Sequence, residues 1–165
     1  MKHRLSRRLA VLAAAFALAG CATYSPRGVR PGMGAAEVEA IMGPPHARHA
    51  QPDGGTRLEY ARGPQGLHTF MVDLDAQGRV LGWQQVLTEA NFNAIAPGTP
   101  VPELLRRLGR PMAVRGGGWQ PGQVWTYRFD SPFCQWWQVS VVEGRTDGAA
   151  YGPDRRCEAG DPRND

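Results

Sequence analysis

Twelve consecutive residues, Leu9 to Gly20, carry no charge and no polar side chain, and no later stretch sustains such a run. Beyond it the apolar positions come as short stripes and alternations. Ala35, Val38, Ile41 and Met42 recur at helical spacing and predict a helix. Gly34 takes its N-cap position, Glu37 suits its positive end, and Gly43 before Pro44-Pro45 stops it. Val101, Leu104, Leu105 and Leu108 predict a second helix, with Thr99 as cap, Pro100 in the first turn, and Gly109 and Pro111 closing it. Helices of about two turns do not persist alone in water, so both must pack on something. Alternation supplies a sheet. Thr56–Ala61 sets Leu58 and Tyr60 to one side. His68–Leu74 sets Phe70, Val72 and Leu74 against Thr69, Met71 and Asp73. Asp75-Ala76-Gln77-Gly78 reads as a hairpin turn, and Val80–Thr88 returns with Leu81, Trp83 and Leu87 on one face. Further on come Val124–Phe129, Phe133–Val142 and a weaker strand over Thr146–Tyr151, with Trp125, Tyr127, Phe129, Trp137, Val139 and Val141 as core. Glu89–Ile95 reads as a short helical link.

These two series are one pattern written twice, at an offset of about 66 residues. Pro31-Gly32 matches Pro97-Gly98, Glu37-Val38 matches Glu103-Leu104, Met42-Gly43 matches Leu108-Gly109, and Pro45 matches Pro111. Tyr60 then matches Tyr127, Phe70 matches Trp137, Val72 matches Val139, and Gly78-Arg79 matches Gly144-Arg145. The predicted fold is therefore α+β: a tandem repeat of a short helical segment packed on a three-stranded antiparallel sheet, over residues 29–90 and 95–157.

The apolar run itself predicts export. It follows Lys2, Arg4, Arg7 and Arg8 with no acid among them, as in a secretory signal. As a helix it spans roughly 18 Å, against a hydrocarbon core of about 30 Å, so it is too short for a stable anchor. It ends Leu18-Ala19-Gly20-Cys21, which resembles the lipobox of bacterial lipoproteins. That resemblance implies cleavage before Cys21, acylation of Cys21, and a lipidated linker over 21–28. Ala22 rather than Asp follows, which by the same resemblance favours the outer membrane, with the body on its periplasmic face.

Removing residues 1–20 changes the charge picture. The full chain has 19 basic and 15 acidic residues. All four excess positive charges lie in the signal, so the mature chain is formally neutral and offers no nucleic-acid signature. Lys2 is the chain's single lysine, which removes P-loop and Schiff-base lysine chemistry from the mature protein. Besides Cys21, two cysteines remain, Cys134 and Cys157. In an oxidising compartment they are expected to form a disulfide. Strict hairpin pairing puts position 154 opposite Cys134, so Cys157 overshoots by three residues. The tail over 158–165 is polar and expected to be disordered.

Other candidate chemistry yields to plainer readings. His46-x-x-His49 with Asp53 has metal-like spacing but reads as an exposed polar loop, since no helix holds the spacing. Asp73-x-Asp75-x-Gln77-Gly78 imitates a calcium loop, but Gln84 stands at the twelfth position, and a hairpin explains the residues. Gly116-Gly117-Gly118 has no following Lys-Ser/Thr and reads as a loop. Trp136 points opposite Trp137, either as a binding platform or packed under the C-terminal segment. No nucleophile, base and orienting group occur together, so no enzyme activity, cofactor or metal is expected.

The motif Pro31-Gly-x-x-x-x-Glu-Val-x-x-x-Met-Gly-x-Pro45 after a lipobox, with the hairpin Phe70-Met-Val-Asp-Leu-Asp-Ala-Gln-Gly-Arg-Val80, resembles the BamE (SmpA/OmlA) group of outer-membrane lipoproteins. That group's unit is two helices on a three-stranded antiparallel sheet. The chain departs from it in having Gly34 and Pro100 where the group has Ser or Thr caps, and in carrying two copies. The resemblance implies a non-enzymatic binding or scaffold module in outer-membrane protein assembly or envelope integrity. Its partners would be the membrane, through the lipid, and the barrel-assembly machinery or another envelope protein. Tandem copies of such a unit are also similar to secreted β-lactamase inhibitor proteins. The alternative is therefore a membrane-tethered inhibitor or regulator of a periplasmic enzyme.

Overall fold

The computed structural model describes residues 22–63, 65–116, 121–154 and 156. Cys21, Cys157, the signal over 1–20 and the tail over 158–165 lie outside them.

The repeat is present, with one strand more per unit than the sequence pattern predicts. The first unit is helix α1 (Ala35–Met42), then strands β1 (Ala47–Ala50), β2 (Thr56–Ala61), β3 (Thr69–Leu74) and β4 (Val80–Gln85). Helix α2 (Glu89–Asn93) links it to the second: α3 (Val101–Leu108), β5 (Ala113–Gly116), β6 (Gln123–Arg128), β7 (Gln135–Val142) and β8 (Arg145–Pro153). Each unit forms a four-stranded antiparallel sheet in chain order. The predicted three-stranded sheets are thus corrected by β1 and β5. Ala47-Arg48-His49-Ala50 lacks the β-branched and aromatic residues that mark a strand. It is extended because it pairs with β2, Ala47 opposite Glu59 through Ala50 opposite Thr56. The two units keep the offset in detail. The isolated bridge Gly34–Arg79 recurs as Pro100–Arg145, and the pair Tyr60–Phe70 recurs as Tyr127–Trp137.

The helix ends follow local chemistry. Gly34 has no side chain to cap α1, but Glu37 Oε2 accepts the Gly34 N–H at 2.8 Å. At α3 the N-cap is Pro100, and Thr99, expected to cap, instead donates its hydroxyl to Ala96 O at 2.7 Å. Both helices end on glycines at positive φ, Gly43 at 79° and Gly109 at 76°.

Packing makes a four-layer stack. Helix α1 covers one face of the first sheet through Val38 and Met42 against Leu58, Tyr60, Phe70 and Val72. The other face of that sheet gives Met71 to a second core, shared with Leu104 and Leu108 of α3 and with Trp125, Tyr127, Trp137 and Val139 of the second sheet. Phe92 of α2 stacks on Trp137, ring centroids 4.8 Å apart. Layers therefore run α1, first sheet, α2 with α3, second sheet. Burying Leu104 and Leu108 completely contributes about 1.5–3 kcal/mol each. Of the residues predicted to share one face of the first unit's last strand, Leu81 and Trp83 are 57% and 41% exposed, while Leu87 is buried. β4 is an edge strand, and an irregularity at Asp73/Leu74 leaves Leu81 without a partner in the register.

The equivalent tyrosines Tyr60 and Tyr127 are both fully buried but differ in one bond. Tyr127 Oη donates to Gly109 O at 3.0 Å, whereas Tyr60 Oη meets no hydrogen-bond partner among the described residues. Tyr127→Phe should cost about 1 kcal/mol, and Tyr60→Phe should be neutral or slightly stabilising. Urea midpoints with an unchanged slope measure both. Equal losses would contradict the difference. Burial raises both phenols, Tyr60 to about 12, so folding favours their protonated forms. Their contribution is complete below pH 10, the usual phenol value; at Tyr60 it is lost as pH rises from 10 through about 12, and at Tyr127, which is raised further, only at still higher pH.

Candidate functional site

The richest polar chemistry lies where the units meet. Alternation along β2 sends Leu58 and Tyr60 toward α1 and so sends Glu59 to the opposite face, where it would meet water in an isolated unit. The second unit covers that face, and Glu59 is 1% exposed. A buried carboxylate needs partners. His49 Nε2 donates to Glu59 Oε2 at 2.9 Å, and the Arg110 N–H donates to Oε1 at 2.8 Å. A second polar junction lies alongside. Arg57 holds Asp73 through Nε at 2.6 Å and Nη2 at 2.9 Å, and reaches Arg106 O through Nη1 at 3.2 Å. Arg106 pairs with Glu103 on α3 and donates to Gln51 Oε1 at 2.9 Å.

A cavity of about 90 Å³ opens beside Glu59, lined by His46, Ala61, Thr69, Arg110, Met112 and Arg128 among others. Ligand pockets run to about 300–1,000 Å³, so this one suits ordered water or a small ion. Burial, then the charge of Arg110, pushes the His46 imidazole below its usual value. Arg128 is turned to Asp154, with which it forms an ion pair. A broader, shallow trough of about 310 Å³ runs over the outer face of the second sheet, along Val124, Gln138, Ser140, Gly148, Ala149 and Ala150.

The residues singled out by spacing fall apart in space or into structural roles. His49 is not on a polar loop: it lies on β1 and serves Glu59, while His46 lines the cavity and His68 stacks on Phe70. Among the described residues no three His, Cys, Asp or Glu side chains gather as a metal site. The hairpin reading of the calcium-like segment holds: Asp73 is bound by Arg57, and Asp75 Oδ1 accepts the N–H groups of Gln77 and Arg79. Trp136 is half-buried on the outer face, paired with Gly152. A Cβ added at Gly152 would lie 3.0 Å from the Trp136 indole nitrogen, so the ring packs on β8. Gly116 ends β5, and Gly117 and Gly118 lie outside the described residues. The Glu59 junction was missed because burial by a second copy leaves no mark on the alternation of one strand.

Two expectations follow. His49→Ala strips a partner from buried Glu59 and should cost about 1–3 kcal/mol, whereas His46→Ala with His68→Ala should cost less. Thermal unfolding separates the variants, and a His49 variant as stable as the parent would refute the first. The cysteine pair is the second. Cys157 lies outside the described residues, but Asp154 N donates to Cys134 O at 2.9 Å, the pairing expected from the hairpin. Arg156 N then bonds Asp154 Oδ1 at 3.1 Å, turning the chain as it leaves β8. A Cys134–Cys157 bridge is expected, closing a loop of roughly 24 residues worth about 3 kcal/mol. Thiol labelling of unreduced, denatured protein should find neither cysteine reactive, and two labelled thiols would refute the bridge.

No family model matches this chain. No curated protein matches it either. Among solved structures it is similar to an extracellular protein containing an SCP domain from Bacillus anthracis, at 10% identity and a TM-score of 0.32. The match covers 82% of this chain, which spans about half of that one, 48%. A likeness this distant carries no argument about fold or function.

Proposed function

We propose that this chain is a BamE-like, outer-membrane-anchored lipoprotein on the periplasmic face. It acts as a non-enzymatic binding or scaffold module in outer-membrane protein assembly or envelope integrity. The observation that carries the binding role is the open outer face of the second sheet. The central strands β2 and β3 of the first sheet are covered on both faces, by α1 and by the second unit, and α2 with α3 cover one face of the second sheet. Its other face exposes Val124, Gly148 and Ala150 beside the half-buried Gln138 and Ser140. Strand β8, nine residues long, ends that sheet as an edge. A sheet face that no described residue covers, beside an edge strand paired outward only near Arg145 and Thr146, is a surface on which a partner chain can dock. The polar junctions at Glu59 and Arg57 tie the two units and give that surface one rigid backing.

The alternative, a membrane-tethered inhibitor or regulator of a periplasmic enzyme, would use the same face. Affinity purification from detergent-solubilised envelopes separates the two. Barrel-assembly components support the first reading, and a single soluble periplasmic enzyme supports the second. Loss of either partner on Ser140→Arg with Ala150→Arg would assign it to this face. Retention in that well-folded variant would remove the face from the proposal.

A further inference from the structure

Residues 22–28, expected as a linker, are docked along the body. Thr23 N donates to Ile41 O at 2.9 Å. The Arg62 guanidinium donates to Thr23 O and to Tyr24 O, both at 2.8 Å. Tyr24 Oη and His68 Nδ1 are 2.9 Å apart, and Val29 is 4% exposed. Ala22 lies against Gly43, where an added Cβ would sit 3.1 Å from the Ala22 Cβ. Only one peptide unit, about 3.8 Å between Cα atoms, separates this fixed point from Cys21. A free eight-residue tether would instead wander roughly 16 Å and permit any orientation.

The point of attachment shares its end of the molecule with the second unit's β6–β7 turn. Arg62 and His68 belong to the β2–β3 loop. Gly63 of that loop abuts Met112, at 4.0 Å from its added Cβ, and Met112 N bonds Thr126 O on β6 at 2.9 Å. β6 ends in Arg128, paired with Asp154, which bonds Cys134. Next to Cys134 stands Phe133, at 75% exposure the barest large apolar side chain described. Its turn is fixed, not frayed: the N–H groups of Phe133 and Cys134 donate to Oγ and O of Ser131, each at 3.2 Å. Pro132 beside it is also exposed, as is Arg110 across the cavity, with Asp130 the one acid on the two loops. Among the described residues no side chain covers the Phe133 ring, although the turn that carries it is held in place.

We propose that this end is seated on the phospholipid leaflet that holds the chain's own anchor, with Phe133 inserted at the headgroup–acyl boundary. The inference rests on lipidation of Cys21. It turns the proposed anchor from a leash into a mount: the second sheet's outer face would stand at one fixed angle to the membrane. The exposed Arg110 guanidinium suits headgroup phosphates at the same level.

The test uses the full lipidated protein in vesicles of phosphatidylethanolamine and phosphatidylglycerol. A benzophenone amino acid replaces Phe133 in one sample and Leu81 in another. Leu81 is also exposed, but lies beside the Asp75–Gly78 hairpin at the opposite end of the first sheet. Lipid adducts at 133 should exceed those at 81 by at least roughly tenfold, as expected for a buried aromatic side chain against a solvated one. Mass spectrometry of the same samples reads the state of Cys21. An acylated Cys21 with equal adducts at both positions would overturn the seating alone. An unmodified Cys21 would overturn the lipoprotein reading and the seating with it.

Discussion

Gly109→Ala should cost about 4 kcal/mol, and Gly43→Ala about half as much, although the two glycines hold the same place in the two units. Both end a helix at nearly one conformation, φ 79° and ψ −176° at Gly43, φ 76° and ψ −170° at Gly109. That region is essentially closed to residues with a Cβ, at about 1–3 kcal/mol. The surroundings differ. A Cβ on Gly43 meets only the Ala22 methyl, at 3.1 Å, a single tight contact that a few tenths of an ångström of movement relieves. A Cβ on Gly109 would stand 2.9 Å from Glu59 Cδ and 2.9 Å from Thr69 Cγ2. Those atoms cannot retreat, because Glu59 is held by His49 and by the Arg110 N–H. Overpacking therefore adds about 1–3 kcal/mol to the backbone strain. The Gly43 variant measures the strain and the difference measures the junction, read from urea unfolding of the mature protein. Equal losses would show that the contact between units is slack.

The same pair of glycines marks how far the sequence could be read. Gly43 and Gly109 announce helix ends by local chemistry, and the Pro-Gly, Glu-Val and Met-Gly pairs announce the repeat. Local signals also placed the hairpin at Asp75–Gly78 and the link after Thr88. What stayed hidden depends on the second unit lying against the first. Met71, Thr69 and Glu59 alternate as if toward solvent, yet all three are buried. The strand β1 carries no strand composition and exists because β2 offers it an edge. Leu81 and Trp83 differ in the opposite sense: both are apolar, yet on the edge strand β4 both stay largely exposed. Alternation reports the faces of one sheet. It does not report how many sheets stack, so the site between them had no sequence signal beyond an acid at a strand centre.

Cys21→Ala should abolish lipid attachment, an all-or-none effect larger than any change to the folded body. In the lipobox reading the cysteine thiol takes the diacylglyceryl group and the new amino terminus takes a third chain. Each buried CH₂ adds about 0.8 kcal/mol, so one chain holds only marginally while two or three hold firmly. Alanine removes the thiol and with it the substrate for cleavage before residue 21. The precursor should persist uncleaved or reach the wrong compartment. The folded domain should survive, because the described contacts of the N-terminal segment begin at Ala22 and Thr23. Fractionation with antibody detection reads the location, and mass spectrometry of the parent should show a diacylated or triacylated Cys21. An intact Met1 in the parent, or an unmodified Cys21 after cleavage elsewhere, would remove the anchor. If the seating proposed above is also correct, a version of the variant that is still exported should lose the lipid adducts at position 133, since one phenylalanine cannot hold the body to a bilayer unaided.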